Sequence, residues 1–226
     1  MSKCTVFRMT RNAHRHFTLS KQHFKASKEK HQTFSTSLDA LLSGKKPAIL
    51  FDISFTTSST LQSFIDSNPY CADNHLKVVQ LIDDVFIVDT DQISSLTSDQ
   101  TFIDCSRHLE APRLMNVDLI KQFQLTMREF IDIIKASPSP VDLSPQCSNL
   151  CLTTIFGMFL LYPFVYYTSD EGNCLGGEEL YLFKVGCEEG VFTSYTCPVR
   201  LCSEVVLRRL REVCSVERVV MDCVAL

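Results

Sequence analysis

The sequence has 226 residues and a net charge of -4, and 45% of its residues are hydrophobic while 21% are charged. These proportions exclude a chain that is disordered, collagen-like or of low complexity as a whole. A chain of this length buries about 70% of its unfolded surface, so it needs no disulfide bond to form a core. The 11 cysteines are odd in number and too dilute for a disulfide scaffold, so we expect reduced thiols.

The charge is unevenly distributed along the chain. Residues 1–35 contain eight Lys or Arg and one Glu, which puts this segment at +7 and the rest at -11. Three interpretations remain open: a solvated extension, a mitochondrial targeting peptide, or an arm that binds nucleic acid or anionic membranes. We expect a flexible basic extension at residues 1–32 and one α/β domain at residues 33–226. With no secretory apolar run, the sequence predicts a cytosolic or nuclear protein; import into mitochondria through residues 1–30 is the alternative.

The first part of the domain alternates between helix and strand signals. Its strand, helix, strand order predicts that the first two strands are parallel. Asp83 and Asp84 predict a direct turn from the second strand into a third. The expected elements are a helix at residues 37–43, strands at 48–52, 76–82, 85–88 and 101–105, and a helix from Thr57 or Ser58 to Asn68.

The clearest helix is expected at residues 117–136, where apolar residues recur with helical spacing and a Ser-Pro-Ser-Pro run follows. Residues 137–147 hold three Pro and three Ser and predict a linker between two candidate subdomains. The uncharged stretch 143–169 is interrupted by Pro163, which favours a buried helix and a buried strand over a membrane span. Further elements are expected as helices near 147–161 and 203–214, and as strands near 164–168, 180–185, 191–196 and 218–224.

Acidic residues follow several of the predicted strands. Asp52, Asp89, Asp91 and Asp104 stand where carboxylates at a sheet edge can bind Mg²⁺, the arrangement of a metal-dependent, phosphatase-like hydrolase. The stretch from Val88 to Asp91 resembles the opening of haloacid dehalogenase-type phosphatases, but it lacks that family's later Thr and Gly-Asp motifs. An aspartate after a strand also commonly starts a turn or caps a helix, which is the competing interpretation.

Cys174 is the candidate for a thiol enzyme, because it lies in a turn-rich segment at residues 170–177. A nucleophilic cysteine needs a nearby base or cation to lower its pKa. His75 and His108 are the histidines outside the basic segment, and the sequence does not place either beside Cys174. A loop cysteine without catalytic function is the alternative.

Three pairs of side chains are candidate zinc ligands: Cys105 with His108, Cys147 with Cys151, and Cys197 with Cys202. Structural zinc sites usually combine two closely spaced ligand pairs, and these spacings match none of the recurring zinc fingers. Buried apolar cysteines are the ordinary alternative. We therefore predict no metal and no cofactor.

Three segments of the chain resemble a known family. They are residues 44–52 (GKKPAILFD), the blocks YPFVY at 162–166, NCL at 173–175 and LYLF at 180–183, and the C-terminal VVMDCVAL at 219–226. These segments resemble the vertebrate chromosome one open reading frame seventy-four homologue family, a protein family of unknown function. The resemblance covers residues 33–226, and it implies that residues 162–166 belong to a folded domain. It implies no activity, cofactor or catalytic residue.

The sequence as a whole favours a mixed α/β fold with a central, partly parallel sheet and flanking helices. Because each catalytic constellation is incomplete, we expect a non-catalytic intracellular binding or interaction protein. A protein partner is expected and nucleic acid is not; the oligomeric state stays open. The competing class is an enzyme, either an aspartate-based metal hydrolase or a thiol enzyme.

Overall fold

The structure is a computed structural model that describes residues 27–52, 57–69, 71, 75–94, 100–169, 172–187, 190–211 and 215–220. Its α-helices are α1 (Lys28–Leu42), α2 (Ser58–Ser67), α3 (Val117–Ala136), α4 (Leu152–Phe159) and α5 (Glu204–Arg211). Its strands are β1 (Ala48–Leu50), β2 (Leu76–Leu81), β3 (Asp84–Asp89), β4 (Thr101–Asp104), β5 (Arg113–Leu114), β6 (Val141–Asp142), β7 (Phe164–Tyr167), β8 (Glu179–Cys187), β9 (Gly190–Pro198) and β10 (Ser215–Val220). Helices combine with both parallel and antiparallel strand pairs, which confirms the mixed α/β class.

The first sheet has the strand order β1-β3-β2-β6. Strand β3 is antiparallel to both β1 and β2, so β1 and β2 run in the same direction, as predicted, but do not pair. The turn at Asp83 and Asp84 leads directly into β3, and this hairpin places β3 between the two parallel strands. Strand β6 pairs with β2 in parallel, which brings the Pro- and Ser-rich stretch 137–147 into the sheet.

Both faces of the first sheet are buried. Along β3, Phe86 and Val88 point into one core, whereas Val85 and Ile87 point into another, which is the two-residue alternation of a strand. Helices α3 and α4 cover the first face, and α1 and α2 cover the second. The result is a helix, sheet, helix sandwich in this part of the chain.

The other strands form two three-stranded sheets, in the orders β5-β4-β7 and β10-β8-β9. Strands β4 and β7 are parallel, and their last residues, Asp104 and Tyr167, are directly paired. One face of this pair contributes Phe102 and Val165 to the core under α3 and α4. The opposite face contributes Ile103 to a third core that is shared with β8, β9 and α5.

Helix α3 has the predicted bounds. At its start the Asn116 side chain accepts a hydrogen bond from the backbone N–H of Asp118 at 2.7 Å. At its end the Lys77 ammonium donates to the carbonyl oxygens of Ile134 and Ser137, both at 2.7 Å, and to that of Lys135 at 3.1 Å. A cation thus satisfies carbonyl groups that the last turn leaves without a partner within the helix.

Two predicted helix boundaries differ from the structure. Helix α1 begins at Lys28 rather than at residue 37, because Phe34 on its otherwise polar first turns is buried in the core with Leu38. Helix α4 begins at Leu152, and a 3₁₀ helix at Ser144–Gln146 precedes it. Stretch 143–169 therefore contains short buried elements. Among the described residues, no helix has the length and apolarity that a membrane crossing needs.

Candidate functional site

A cleft opens where the parallel strands β4 and β7 end. Its volume is about 500 Å³, and it lies at the carboxyl edge of a parallel pair, the usual ligand-binding position in α/β sheets. The segment from β5 to the first turn of α3 forms the opposite wall. The polar lining residues are Asp104, Ser106, His108, Arg113, Asn116 and Ser169, and the apolar ones are Leu114, Met115, Leu119 and Tyr167.

Asp104 is the centre of the hydrogen-bond network in this cleft. Its Oδ1 accepts hydrogen bonds from Ser106 Oγ at 2.7 Å and from Ser106 N at 3.1 Å. Its Oδ2 accepts one from the guanidinium of Arg113 at 3.2 Å. Burial raises the pKa of Asp104, but the hydrogen bonds from Ser106 and the charge of Arg113 outweigh that effect and lower it overall. The carboxylate is therefore ionised at neutral pH.

Ser106 connects this network to the segment that follows β7. Its hydroxyl accepts a hydrogen bond from the backbone N–H of Ser169 at 2.9 Å while it donates to Asp104. Ser106 also forms an isolated antiparallel bridge with Asn173, and its side chain is buried. The ends of β4 and β7 are thus held together by side-chain bonds beyond the strand ladder.

Arg113 and His108 are the basic groups of the cleft. The Arg113 side chain is 63% exposed, whereas that of its partner Asp104 is 13% exposed, so the guanidinium extends from a buried anchor toward solvent. Nδ1 of His108 lies 3.5 Å from the Ser169 hydroxyl. Leu114, beside Arg113, is an exposed large apolar residue. The cleft therefore presents hydrogen-bond donors next to an apolar wall.

The other predicted acids do not join Asp104. The backbone N–H of Phe51 bonds to the Val85 carbonyl, whereas that of Asp89 bonds to the Pro47 carbonyl. Asp52 falls opposite Asp84, so Asp52 and Asp89 lie near opposite ends of β3, about 17 Å apart along the strand. One Mg²⁺ with ligands at about 2.1 Å cannot bridge that distance.

Asp89 and Asp91 take part in a local turn. Asp89 Oδ1 accepts from the backbone N–H groups of Asp91 at 2.9 Å and Gln92 at 3.2 Å. Asp91 is exposed and lies 3.7 Å from the ring of His75. This geometry is that of an aspartate that starts a turn after a strand, because the Asp89 carboxylate accepts hydrogen bonds from the backbone two and three residues later.

Cys174 lies in the loop beside the end of β4. Its backbone N–H donates to the Cys105 carbonyl at 2.9 Å, and its side chain is half-buried. Burial and the charges of Glu178 and Asp104 raise the pKa of the Cys174 thiol, against a lowering by Arg200. A raised pKa is the reverse of what a nucleophilic thiol requires.

The three candidate zinc pairs do not come together in one site, although the side chains of Cys197 and Cys202 are hydrogen-bonded to each other. Cys147 caps the short 3₁₀ helix, and Cys151 precedes α4, so the two do not share one helix face. Cys105 and Cys197 are buried in the third core. Within the ranges that the structure covers, no three His, Cys, Asp or Glu residues are grouped to hold a metal ion.

The chain matches the model of one protein family. A family model described as "Domain of unknown function (DUF4504)" matches residues 16–209. The chain belongs to this family. No solved structure matches the chain. In this DUF4504 member the matched range includes both strands of the cleft, the whole of α3 and the loop that carries Cys174.

Sequence patterns identified part of the cleft and missed the rest. Asp104 was among the acids at strand ends, and Ser106, two residues later, is the hydroxyl that such a turn often recruits. Arg113 and Ser169 carried no signal, since β5 must fold back and β7 must pair with β4 before they approach Asp104. Chemically, the assembled DUF4504 cleft can hold an anion by hydrogen bonds and an apolar group by contact.

Proposed function

We propose that this protein is a non-catalytic binding protein whose ligand is a small organic acid held in the cleft between β4, β7 and the start of α3. The observation that carries the proposal is the exposed guanidinium of Arg113, anchored by the buried carboxylate of Asp104. Arginine has five N–H donors, and it often binds carboxylates through two of them. One bond to Asp104 anchors the guanidinium, and the remaining donors of this exposed, cleft-lining residue are available for a ligand.

The size and lining of the cleft support a small ligand with an apolar part. A volume of about 500 Å³ is within the usual range for small-molecule sites. Leu114, Met115, Leu119 and Tyr167 supply apolar surface for the body of such a ligand. The positive end of α3 also begins beside the cleft at Asn116 and favours a negative group there.

The protonation of the candidate catalytic groups supports binding rather than catalysis. A general base works best with a pKa near the working pH, whereas Asp104 has a lowered pKa and both of its oxygens accept hydrogen bonds. Cys174 has a raised pKa and so does not suit a thiol enzyme. Neither group has the pKa that a catalytic base or the nucleophile of a thiol enzyme needs for turnover at neutral pH.

A titration with a charged and a neutral probe tests the proposal. Benzoate has a carboxylate on an apolar ring, and benzamide has the same shape without the charge. We expect benzoate to bind with a dissociation constant of about 1 mM, the range of a small fragment, and to shift the backbone NMR signals of residues 113–119. Equal affinity for benzamide, or shifts confined to other parts of the chain, would overturn the proposal.

We further infer that, within its family, the chain is a member of the chromosome one open reading frame seventy-four homologues, which its YPFVY, NCL and VVMDCVAL segments resemble. We also propose that it acts in the cytosol or nucleus. Reduced cysteines such as the buried Cys105 and Cys147 fit a reducing compartment. A protein partner is compatible with the binding of a small organic acid. The identity of that partner does not affect the titration with benzoate.

A further inference from the structure

Two cysteines are in register across the bridge that joins the loop after β7 to the end of β4. Ser106 and Asn173 form the antiparallel bridge, so the residues one step outward, Cys105 and Cys174, are directly opposite. The bond from Cys174 N to Cys105 O, at 2.9 Å, confirms this register. Residues opposite each other in such a pair have Cα atoms about 5.5 Å apart, which lies within the range that a disulfide spans.

Both thiols also lie on the same face. Cys105 belongs to the third core, and Cys174 packs against that core from the loop. Both are free thiols, and charge on Cys174 is among the causes that raise the pKa of Cys105. Shared packing and the cross-strand register place both side chains on the same side of the bridge. The Cys105 thiol donates to the Tyr167 carbonyl at 3.3 Å, so it must leave this bond to join Cys174.

We propose that Cys105 and Cys174 are a modification site at which a peroxide forms a cross-strand disulfide. The Cys174 thiolate attacks one peroxide oxygen, the O–O bond breaks, hydroxide leaves, and Cys174 becomes a sulfenic acid. The Cys105 thiolate then attacks the sulfenic sulfur, the S–O bond breaks, a second hydroxide leaves, and the S–S bond forms. The protons released by the two thiols convert both hydroxides to water. Two thiols and one hydrogen peroxide give one disulfide and two waters, with the sulfurs oxidised and the peroxide reduced.

The order of these steps follows from exposure. Cys174 is half-buried and reachable, whereas Cys105 is fully buried and burial raises its pKa to about 12. The groups that act on Cys174 are Glu178 and Asp104, which raise its pKa, and Arg200, which lowers it. Because the reactive form is the thiolate, the rate of disulfide formation should rise about tenfold from pH 7 to pH 8.

Peptide mapping of the full-length chain tests the site. The reduced protein is treated with hydrogen peroxide, its remaining thiols are alkylated, and it is digested with trypsin and then chymotrypsin. Trypsin leaves Cys105 as the sole cysteine of residues 78–107, and chymotrypsin, cutting after Tyr166 or Tyr167, separates Cys151 from Cys174. We expect the Cys105–Cys174 peptide to be the main cross-linked product and to disappear on later reduction.

Two serine variants complete the experiment. Cys174→Ser changes a half-buried loop residue and should abolish the cross-link. Cys151→Ser changes another half-buried cysteine whose charge also acts on Cys105, and it should leave the yield unchanged. A wild-type product that links Cys105 to Cys151, or peroxide-treated protein that contains sulfinic Cys174 and no cross-link, would overturn the proposal.

Discussion

Asp104 is held by neighbours that lie at different distances along the sequence. Ser106 is two residues away and its bonds to Asp104 are local, so an aspartate at a strand end could be expected to acquire them. Arg113 is nine residues away and reaches Asp104 because β5 pairs with β4 at this position. Single-residue patterns therefore predict the first partner and fail to predict the second.

The lowered pKa of Asp104 predicts a pH-dependent contribution to stability. Such a carboxylate stabilises the fold above its unfolded pKa of about 3.9, and the contribution is lost as pH falls through the lower folded value. Asp104→Asn should cost about 2 kcal/mol at pH 7, the scale for hydrogen bonds to charged groups. In urea unfolding the difference from wild type should shrink steadily below pH 4.

A matched control is Asp132→Asn, which alters an exposed aspartate on α3. Exposed substitutions of this kind usually change the free energy of unfolding by less than about 0.5 kcal/mol. If Asp104→Asn were as stable as Asp132→Asn at pH 7, the ionised network around Asp104 would not contribute as described.

At the scale of elements, predictions succeeded where periodicity and caps agree. Helix α3 has a strong apolar face, an Asn cap and a Ser-Pro stop, and its bounds were predicted correctly. Helix α1 was predicted too short because its first turns are polar. The sequence does not predict that β3 lies between β1 and β2. The pairing of β1 with β3 joins segments that are distant along the chain, and local patterns carry no signal for it.

The end of α3 offers a test of one such distant contact. Lys77 in β2 donates to three carbonyl groups at the helix end, and Lys77→Met keeps the length of the side chain but removes these donors. We expect a loss of about 2 kcal/mol in the free energy of unfolding, because three carbonyl groups at the helix end lose a charged hydrogen-bond donor. Chemical denaturation at pH 7 measures it.

Lys121→Met is the control for that experiment, since Lys121 is an exposed residue of α3 whose ion pair is with Asp118 at 3.4 Å. Exposed pairs of this kind contribute about 0.5 kcal/mol or less. Equal effects of the two substitutions would mean that the contacts of Lys77 do not stabilise the end of α3.

At the scale of the whole molecule, the first sheet separates the first core from the second, and strands β4 and β7 separate the first core from the third. The first 35 residues carry a net positive charge and the rest of the chain a net negative one. The position of the cleft follows from the arrangement of the strands, because β4 and β7 end side by side beneath the start of α3. The sequence indicates the mixed α/β class but not how the strands are divided among three sheets.

The basic segment has its own test. A fluorescent reporter fused to residues 1–35 should be distributed through the cytosol and nucleus, since we propose that the protein acts there. The same fusion with Arg8, Arg11 and Arg15 replaced by Gln should have the same distribution. Accumulation of the first fusion in mitochondria, lost in the second, would instead establish a targeting peptide.

The central claim is that Arg113 binds the carboxylate of a small organic acid. Its most direct test is the affinity for benzoate of the wild type, of Arg113→Gln and of Arg128→Gln, an exposed arginine on α3 outside the cleft. The account predicts that Arg113→Gln weakens binding at least tenfold, which is about 1.4 kcal/mol, while Arg128→Gln binds like the wild type. Unchanged affinity in Arg113→Gln, or an equal loss in both variants, would contradict it.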